Sequence, residues 1–318
     1  MTRVLVTVGD LVVDLLLDVR LPVAAGDHQM SPTLLLEPGG ACSTILAARN
    51  LGLDVAALGA VGADFQGRML LDIMAGAGVD TSALLAPAGS TTTTVVALAD
   101  KEGGGHVFLG NYGKGSDIAL TDAAREQLKR ADVVFVPGYS LVEARLRPLI
   151  DGVLDVVNDR PAPLYVDVGP FMGQLTRDRV ERALGLTDVL LLTEDEIPFV
   201  SDGEPGTNAC RRLLQRYPSL LIVLKLAEMG CRIMGPDIDI RCPGFPVAVV
   251  DTIGAGDAYA AAFIWSRMQG YALGDCGTIA NAMGAASVTK AGAGRGAPTR
   301  GEIQALLDEH DTGLQLSC

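Results

Sequence analysis

Short apolar, β-branched runs recur along the chain, at residues 4–8, 55–58, 93–97, 133–136, 164–168, 189–192 and 221–224. Most are continuous rather than alternating, as strands buried on both faces should be. Helical stretches lie between many of them, at 41–50, 67–75, 121–129, 208–216 and 258–268. A parallel neighbour can be reached only by a crossover, and the crossover helix covers a face of the sheet. The alternation therefore predicts a three-layer α/β fold with a mostly parallel central sheet flanked by helices.

Two stretches depart from that order. Residues 11–36 and 90–110 hold strand-like segments at 11–17, 33–36, 92–99 and 106–109, joined by polar or glycine-rich turns such as Lys101-Glu102-Gly103-Gly104-Gly105. No helix of useful length interrupts them. They are expected to form a small antiparallel flap that leaves and re-enters the α/β body, so residues 1–318 read as a single domain with an inserted flap.

Composition narrows the function. Of 318 residues 49% are hydrophobic and 20% charged, ordinary for a well-packed globular chain. The formal charge of −13 makes nucleic acid a poor partner, because phosphate backbones need a basic surface. Six cysteines (Cys42, Cys210, Cys231, Cys242, Cys276 and Cys318) form no CxxC pair and accompany no histidine cluster, so reduced thiols are expected rather than disulfides or zinc. The start, MTRVLVTVGD, enters a strand without the features of a signal peptide, and no apolar run is long enough for a membrane helix. A cytoplasmic protein with no membrane partner is the expectation.

The segment richest in chemistry is Asp251-Thr252-Ile253-Gly254-Ala255-Gly256-Asp257. It follows a strand-like 247–250 and opens an alanine-rich helix. Small residues let the backbone turn tightly, and the first N–H groups of the helix, with its dipole, make a site for phosphate. Asp257 in that setting is either a plain N-cap or a base that accepts a hydroxyl proton beside a transferring phosphoryl group. Neither a Walker A loop nor a GxGxxG after the first strand competes. A second constellation, Gly39-Gly40-Ala41-Cys42-Ser43-Thr44, marks either a close approach of backbone to ligand or a simple tight turn. Asp14 lies in the otherwise apolar segment 12–17, where it either faces water at a strand edge or binds a polar ligand such as a polyol.

Together these motifs resemble the ribokinase-like, PfkB-type carbohydrate kinase family over nearly the full length. Gly9…Asp14 resembles its substrate-binding strand and Gly39-Gly40…Leu51-Gly52 its first signature. Val61-Gly62-Ala63-Asp64-Phe65-Gln66-Gly67 resembles its VGxDxxG turn, and Asp251–Asp257 its second signature, DTxGAGD. The resemblance implies a central sheet between helices with a β-lid over the sugar, Asp257 as catalytic base, and Gly254, Ala255 and Gly256 as the anion hole. It places Asp14, Gly39, Gly40 and Thr44 at the substrate, and Thr193, Lys225, Gly230 and Asn281 at ATP. Glu196 falls where the family holds Mg²⁺ through water. Asp251, Ile253, Ser287, Lys290 and Gly292 fall where many members bind a monovalent cation, so K⁺ is implied.

Several positions depart from the pattern. Thr44 and Thr193 replace asparagines of the first signature and of NxxE. Val12 and Ala41 stand where ribokinases proper carry Asn and Lys, and Ala227 replaces a glycine beside the nucleotide. Candidate pocket residues are His28, Thr92, Thr94, His106, Asn111, Tyr112 and Tyr139. No arginine in the flap beyond Arg20 could clamp a substrate phosphate or carboxylate, which favours a neutral acceptor. The expected activity is transfer of the γ-phosphoryl group of ATP to a small neutral sugar. A nucleoside kinase and a non-catalytic sugar sensor are the alternatives. Edge strands of the flap could pair two copies into a homodimer.

Overall fold

Alternate side chains of the apolar runs pack into two separate cores, which is why both faces of the sheet need helices. In the computed structural model, which describes residues 3–317 except 101–104, 160–161 and 293, Leu5 enters one core and Val6 the other. Val223 and its neighbours Ile222 and Leu224 divide in the same way. This is the period of two of a strand buried on both sides.

The chain begins β1 (Val4–Asp18), β2 (Leu34–Gly40), α1 (Ala41–Asn50), β3 (Asp54–Ala60), α2 (Phe65–Gly76), β4 (Leu84–Leu85), β5 (Thr93–Ala99) and β6 (His106–Asn111). It continues α3 (Asp122–Arg130), β7 (Val133–Pro137), α4 (Gly138–Val142), α5 (Arg147–Asp159), β8 (Leu164–Asp167), α6 (Arg177–Leu186), β9 (Val189–Thr193), α7 (Ile197–Val200) and α8 (Thr207–Arg216). It closes with β10 (Leu221–Lys225), β11 (Cys231–Gly235), β12 (Ile238–Cys242), α9 (Ala255–Gln269), α10 (Leu273–Val288) and α11 (Arg300–Glu309).

The large sheet runs β12-β11-β10-β9-β8-β7-β1-β3-β4. Pairings from β10 to β4 are parallel, and the β11–β12 hairpin adds two antiparallel strands at one edge. Helices α1, α9, α10 and α11 cover one face and α3, α5, α6 and α8 the other. Alanines 258 and 260–262 are buried along α9, and their small side chains let it lie between α1 and α10.

The flap is the order β2-β1-β5-β6. Sequence reading separates strands at 4–8 and 11–17, whereas β1 is one continuous strand that belongs to both sheets. Its parallel register with β3 ends at Asp10 and its antiparallel register with β2 begins at Leu11. The β1–β5 pair is parallel, so the flap is mixed rather than antiparallel as expected. The turn at Lys101–Gly104 lies outside the described residues. The strand expected at 247–250 does not form. No strand lies alongside it among the described residues, Val249 and Val250 are exposed, and the amide of Val250 bonds to the Val288 carbonyl at the end of α10. No helix among the described residues is long and apolar enough to cross a membrane. The five described cysteines are free and buried.

Candidate active site

The carboxyl ends of the parallel strands, the start of α9 and the root of the flap converge on one face. Gly254 caps α9 in the left-handed conformation, φ 76°, which a side chain would strain. The helix then begins at Ala255, so Asp257 is its third residue and makes no capping bond. The plain N-cap reading is thereby removed. Asp257 is partly buried and accepts a hydrogen bond from Thr44 Oγ1, at 3.1 Å, reaching across from α1. Burial raises its pKa to about 7, reinforced by the Asp167 and Asp14 charges and opposed by Lys225 and Thr44. A carboxyl poised near neutrality, at a helix N-terminus whose N–H groups point outward, can take a proton while those groups hold an anion.

Thr44 is fully buried, and its hydroxyl proton is directed to Asp257 rather than left open to a substrate. Gly39 and Gly40 end β2, which runs directly into α1. A side chain at Gly39 would overlap the Asp14 carboxylate, so glycine there is a steric requirement of the acid beside it. Asp14 faces Glu37 across the β1–β2 ladder, and burial, then the Glu37 charge, lifts it to about 7. Glu37 is itself held by Arg295, Nη2 to Oε1 at 2.9 Å. Asp14 is thus a desolvated acid packed beside Gly39, not a strand-edge residue facing water.

Lys225 ends β10 and pairs bidentately with Asp167 at the end of β8, 2.6 and 2.8 Å from Nζ to the two carboxylate oxygens. Burial disfavours its charge, but Asp167 and Glu196 outweigh that and raise its pKa. Its ammonium lies 3.6 Å from where a Cβ on Gly256 would stand, beside the outward N–H groups of α9. Glu196 closes a capping box with Thr193, accepting from the Thr193 amide at 2.8 Å. Burial raises the Glu196 pKa while Lys225 opposes it.

Next to these groups opens a cavity of about 560 Å³ lined by Thr193, Lys225, Gly230, Gly256 and Asn281, with an apolar wall that includes Phe245, Val247 and Val288. Asn281 Nδ2 donates to the carbonyls of Cys242 and Pro243, each at 3.0 Å, and so fixes the loop that forms one wall. The cavity lining combines apolar side chains with the Lys225 ammonium and the α9 terminus. That combination suits a nucleotide.

A family profile described as pfkB family carbohydrate kinase matches residues 2–300. The chain belongs to that family. Among its relatives, Fructokinase-1 of Oryza sativa subsp. japonica is 27% identical over 326 residues, covering 96% of this chain and 98% of that one. Ribokinase of Bacillus subtilis is 26% identical over 310 residues, covering 96% and 99%. A putative ribokinase II from E. coli, solved in complex with ATP and Mg²⁺, superposes with a TM-score of 0.83 over 98% of this chain and all of that one at 21% identity, a likeness of fold. This pfkB kinase is a phosphotransferase that uses ATP and an alcohol acceptor.

In the kinase, Asp251 is a brace between two loops. One carboxylate oxygen accepts from the Ile253 amide at 3.0 Å and the other from the Gly292 amide at 2.9 Å. Lys290 turns its ammonium to Glu302, and its amide bonds to the Ser287 carbonyl. The VGxDxxG turn roots the flap: Asp64 accepts from the Gly67 amide, the Thr92 amide and the Thr92 hydroxyl at 2.7–2.8 Å. Thr92 is therefore engaged in this root.

Two largely buried acids escape sequence reading. Asp167 carries no motif and becomes legible only through its partner Lys225. Asp10 sits beside the Gly9…Asp14 pattern without being part of it. It is buried where β1 passes between the sheets, accepts from the Thr93 hydroxyl of the flap, and faces Arg145 of the body, itself paired with Glu143 at 2.9 Å. Burial raises Asp10 to about 6 despite Thr93 and Arg145.

Proposed function

We propose that this kinase transfers the γ-phosphoryl group of ATP to a hydroxyl of a small neutral sugar, a furanose, ketose or related polyol. The placement of Asp257 carries the reading: a desolvated carboxyl with a pKa near 7 in the first turn of α9, steadied by Thr44 and flanked by Lys225. In this reading the acceptor lies against Asp14, Gly39 and Gly40, and the triphosphate lies along the cavity with its terminal group at Gly254, Ala255 and Gly256. Asp257 takes the hydroxyl proton as the acceptor oxygen attacks the γ-phosphorus and the bond to the β,γ-bridging oxygen breaks to release ADP, and the helix N–H groups and Lys225 stabilise the spreading negative charge. Closure of the flap excludes water that would otherwise hydrolyse ATP.

Glu196, beside Lys225 and Asp167, would hold Mg²⁺ through water. No group of three or more His, Cys, Asp or Glu side chains among the described residues is arranged to chelate a metal, which fits an ion carried mainly by phosphate oxygens and water. Bound there, the ion neutralises phosphate charge. The loops braced by Asp251, with carbonyls from Ile253 to Gly292, are proposed to hold K⁺. The flap edges β2 and β6 expose Leu34, Val107, Phe108 and Leu109, and a homodimer through them is proposed, with the cytoplasm as its compartment. The half-exposed rings of Tyr112 and Phe171 favour testing nucleosides as a second acceptor class.

The test is ADP release with Mg·ATP and K⁺ across neutral sugars, polyols and nucleosides. Turnover on one class, lowered roughly 10²-fold or more in kcat by Asp257→Asn, is expected. Silence across the panel, or full activity in the variant, would overturn the reading.

A further inference from the structure

The β11–β12 hairpin ends, on the side of the nucleotide cavity, in a rung of two cysteines. Cys231 and Cys242 stand directly opposite each other in its antiparallel register, and Cys231 is in turn the ladder partner of Lys225 on β10. Residues so placed have Cα atoms about 4.5–5.5 Å apart, inside the roughly 4.4–6.8 Å that a disulfide spans. Both side chains turn toward α10, where a Cβ on Gly277 would stand 2.6 Å from Cys242 Sγ and 3.0 Å from Cys231 Sγ. A glycine in the interior of a helix is destabilising, and here it makes the room that two adjacent sulfurs occupy. The Cys242 thiol also donates to the Gly274 carbonyl at 3.3 Å, which fixes its sulfur against the start of α10.

Both thiols are free, and phosphoryl transfer uses neither. We propose that Cys231 and Cys242 are a site of reversible oxidation, at which a peroxide joins them in a disulfide that loosens the wall of the nucleotide cavity. Hydrogen bonding between the thiols lowers the pKa of Cys242 against the opposing effect of burial, and raises that of Cys231. The Cys242 thiolate attacks one peroxide oxygen, the O–O bond breaks, and the displaced hydroxide takes up the proton that the thiol released, leaving water and a sulfenic acid. The Cys231 sulfur then attacks the sulfenic sulfur, the S–O bond breaks, and the hydroxyl leaves as water with the Cys231 proton. Two electrons pass from the sulfurs to the peroxide. Both sulfurs are buried, but β12 is the edge of the large sheet, so the rung opens to a small oxidant by separation of one strand. Bonding draws the rung in by about 1 Å, from the spacing of a ladder pair to that of a disulfide. Gly230 leaves no slack, since a Cβ there would overlap the Cys242 carbonyl oxygen and the Gly244 nitrogen. The shift therefore pulls the Cys242 carbonyl from Asn281 Nδ2 and moves Gly244 and Phe245, which line the cavity.

The experiment treats the full chain with hydrogen peroxide, maps disulfides by mass spectrometry of an unreduced tryptic digest, and measures Mg·ATP affinity by calorimetry before and after. A bond between peptides 226–232 and 242–267 is expected. The Kd for Mg·ATP should rise about 5-fold, the worth of one hydrogen bond, and dithiothreitol should undo both changes. Cys231→Ala and Cys242→Ala should bind Mg·ATP as reduced wild type does and ignore peroxide. Thiols that stay unlinked, a crosslink that leaves affinity unchanged, or a peroxide-dependent loss of affinity that persists in either variant would overturn the inference. The mapping is made on wild-type protein, so it decides even where a variant does not fold. The effect on ATP rests on the cavity assigned above and the crosslink does not, so reduced enzyme that binds no Mg·ATP would refute that cavity, a result distinct from a linked enzyme with undiminished affinity.

Discussion

Removing the Thr44 hydroxyl should disable the base without disturbing its place. Thr44→Val keeps the shape of a fully buried side chain and deletes the 3.1 Å bond to Asp257 Oδ1. That bond lowers the Asp257 pKa, which burial has raised to about 7. A hydrogen bond to a charged group contributes about 1.5–3 kcal/mol. Since one pKa unit corresponds to about 1.4 kcal/mol, the lower end moves Asp257 up to about 8. Only the ionised form can accept a proton, so activity rises with pH through this pKa. At pH 7 the ionised share should fall from about one half to about one tenth, a loss of about 5-fold in kcat/KM. The acid limb of the kcat/KM profile, followed by ADP release from pH 5.5 to 9.5, should shift alkaline by about one unit and rejoin wild type near pH 9. A loss of equal size at every pH would show that Thr44 positions substrate instead, and an unmoved profile would remove Asp257 as the titrating base.

Asp257→Asn should stabilise the fold as it removes activity. Because the native pKa exceeds the unfolded one, the native state binds the extra proton between about pH 4 and 7, so this acid's contribution to stability declines as pH rises through that window. Thermal midpoints should show the Asn variant gaining on wild type from pH 4 to 7 and holding the gain above, and a gain confined to acid pH would contradict the assignment. Ala227→Gly should raise the urea midpoint: Ala227 holds φ 51°, in the left-handed region, a strain of about 1–2 kcal/mol that exceeds the roughly 0.5–1 kcal/mol of entropy a glycine adds. A less stable variant would mean the alanine methyl contributes packing that outweighs its strain. Asp64→Ala, by freeing Thr92 from the root of the flap, should increase ATP hydrolysis without acceptor several-fold and raise acceptor KM. Unchanged coupling in that variant would mean the flap is held elsewhere.

What sequence reading recovers depends on how locally each feature is encoded. The body strands are legible because a strand buried on both faces must be apolar at successive positions, and α1 is placed at 41–50 because Gly39-Gly40 cannot extend it backwards. The seven residues Asp251–Asp257 carry a tight turn, a helix start and an acid in one stretch, so the turn, the start of α9 and the place of its acid can be read directly. The continuity of β1 is hidden by Asp10, a polar residue that looks like a break. It is tolerated because Thr93 and Arg145 meet it from opposite sides of the junction. Conversely, 247–250 has the letters of a strand but no neighbour to pair with, and apolar letters alone do not supply one.

Asp167 shows where such reading must stop. It and Lys225 are 58 positions apart on β8 and β10, strands that are not even adjacent, since β9 lies between them. Neither residue has a local pattern that requires the other. Yet a buried lysine would be forced toward its neutral form without a carboxylate at hand, and a carboxylate at that strand end would be desolvated without the lysine. The pair exists because parallel strands deliver their carboxyl ends to one side of the sheet, and the same delivery brings Glu196, just after β9, while Asp257 arrives on the first turn of α9. Three acids gather around one ammonium, and burial first, then the Asp167 charge, pushes Glu196 and Asp257 upward in pKa against the opposing charge of Lys225. A phosphate arriving with its counter-ion would change that balance, so the proton on Asp257 and the occupancy of the phosphate site should be coupled.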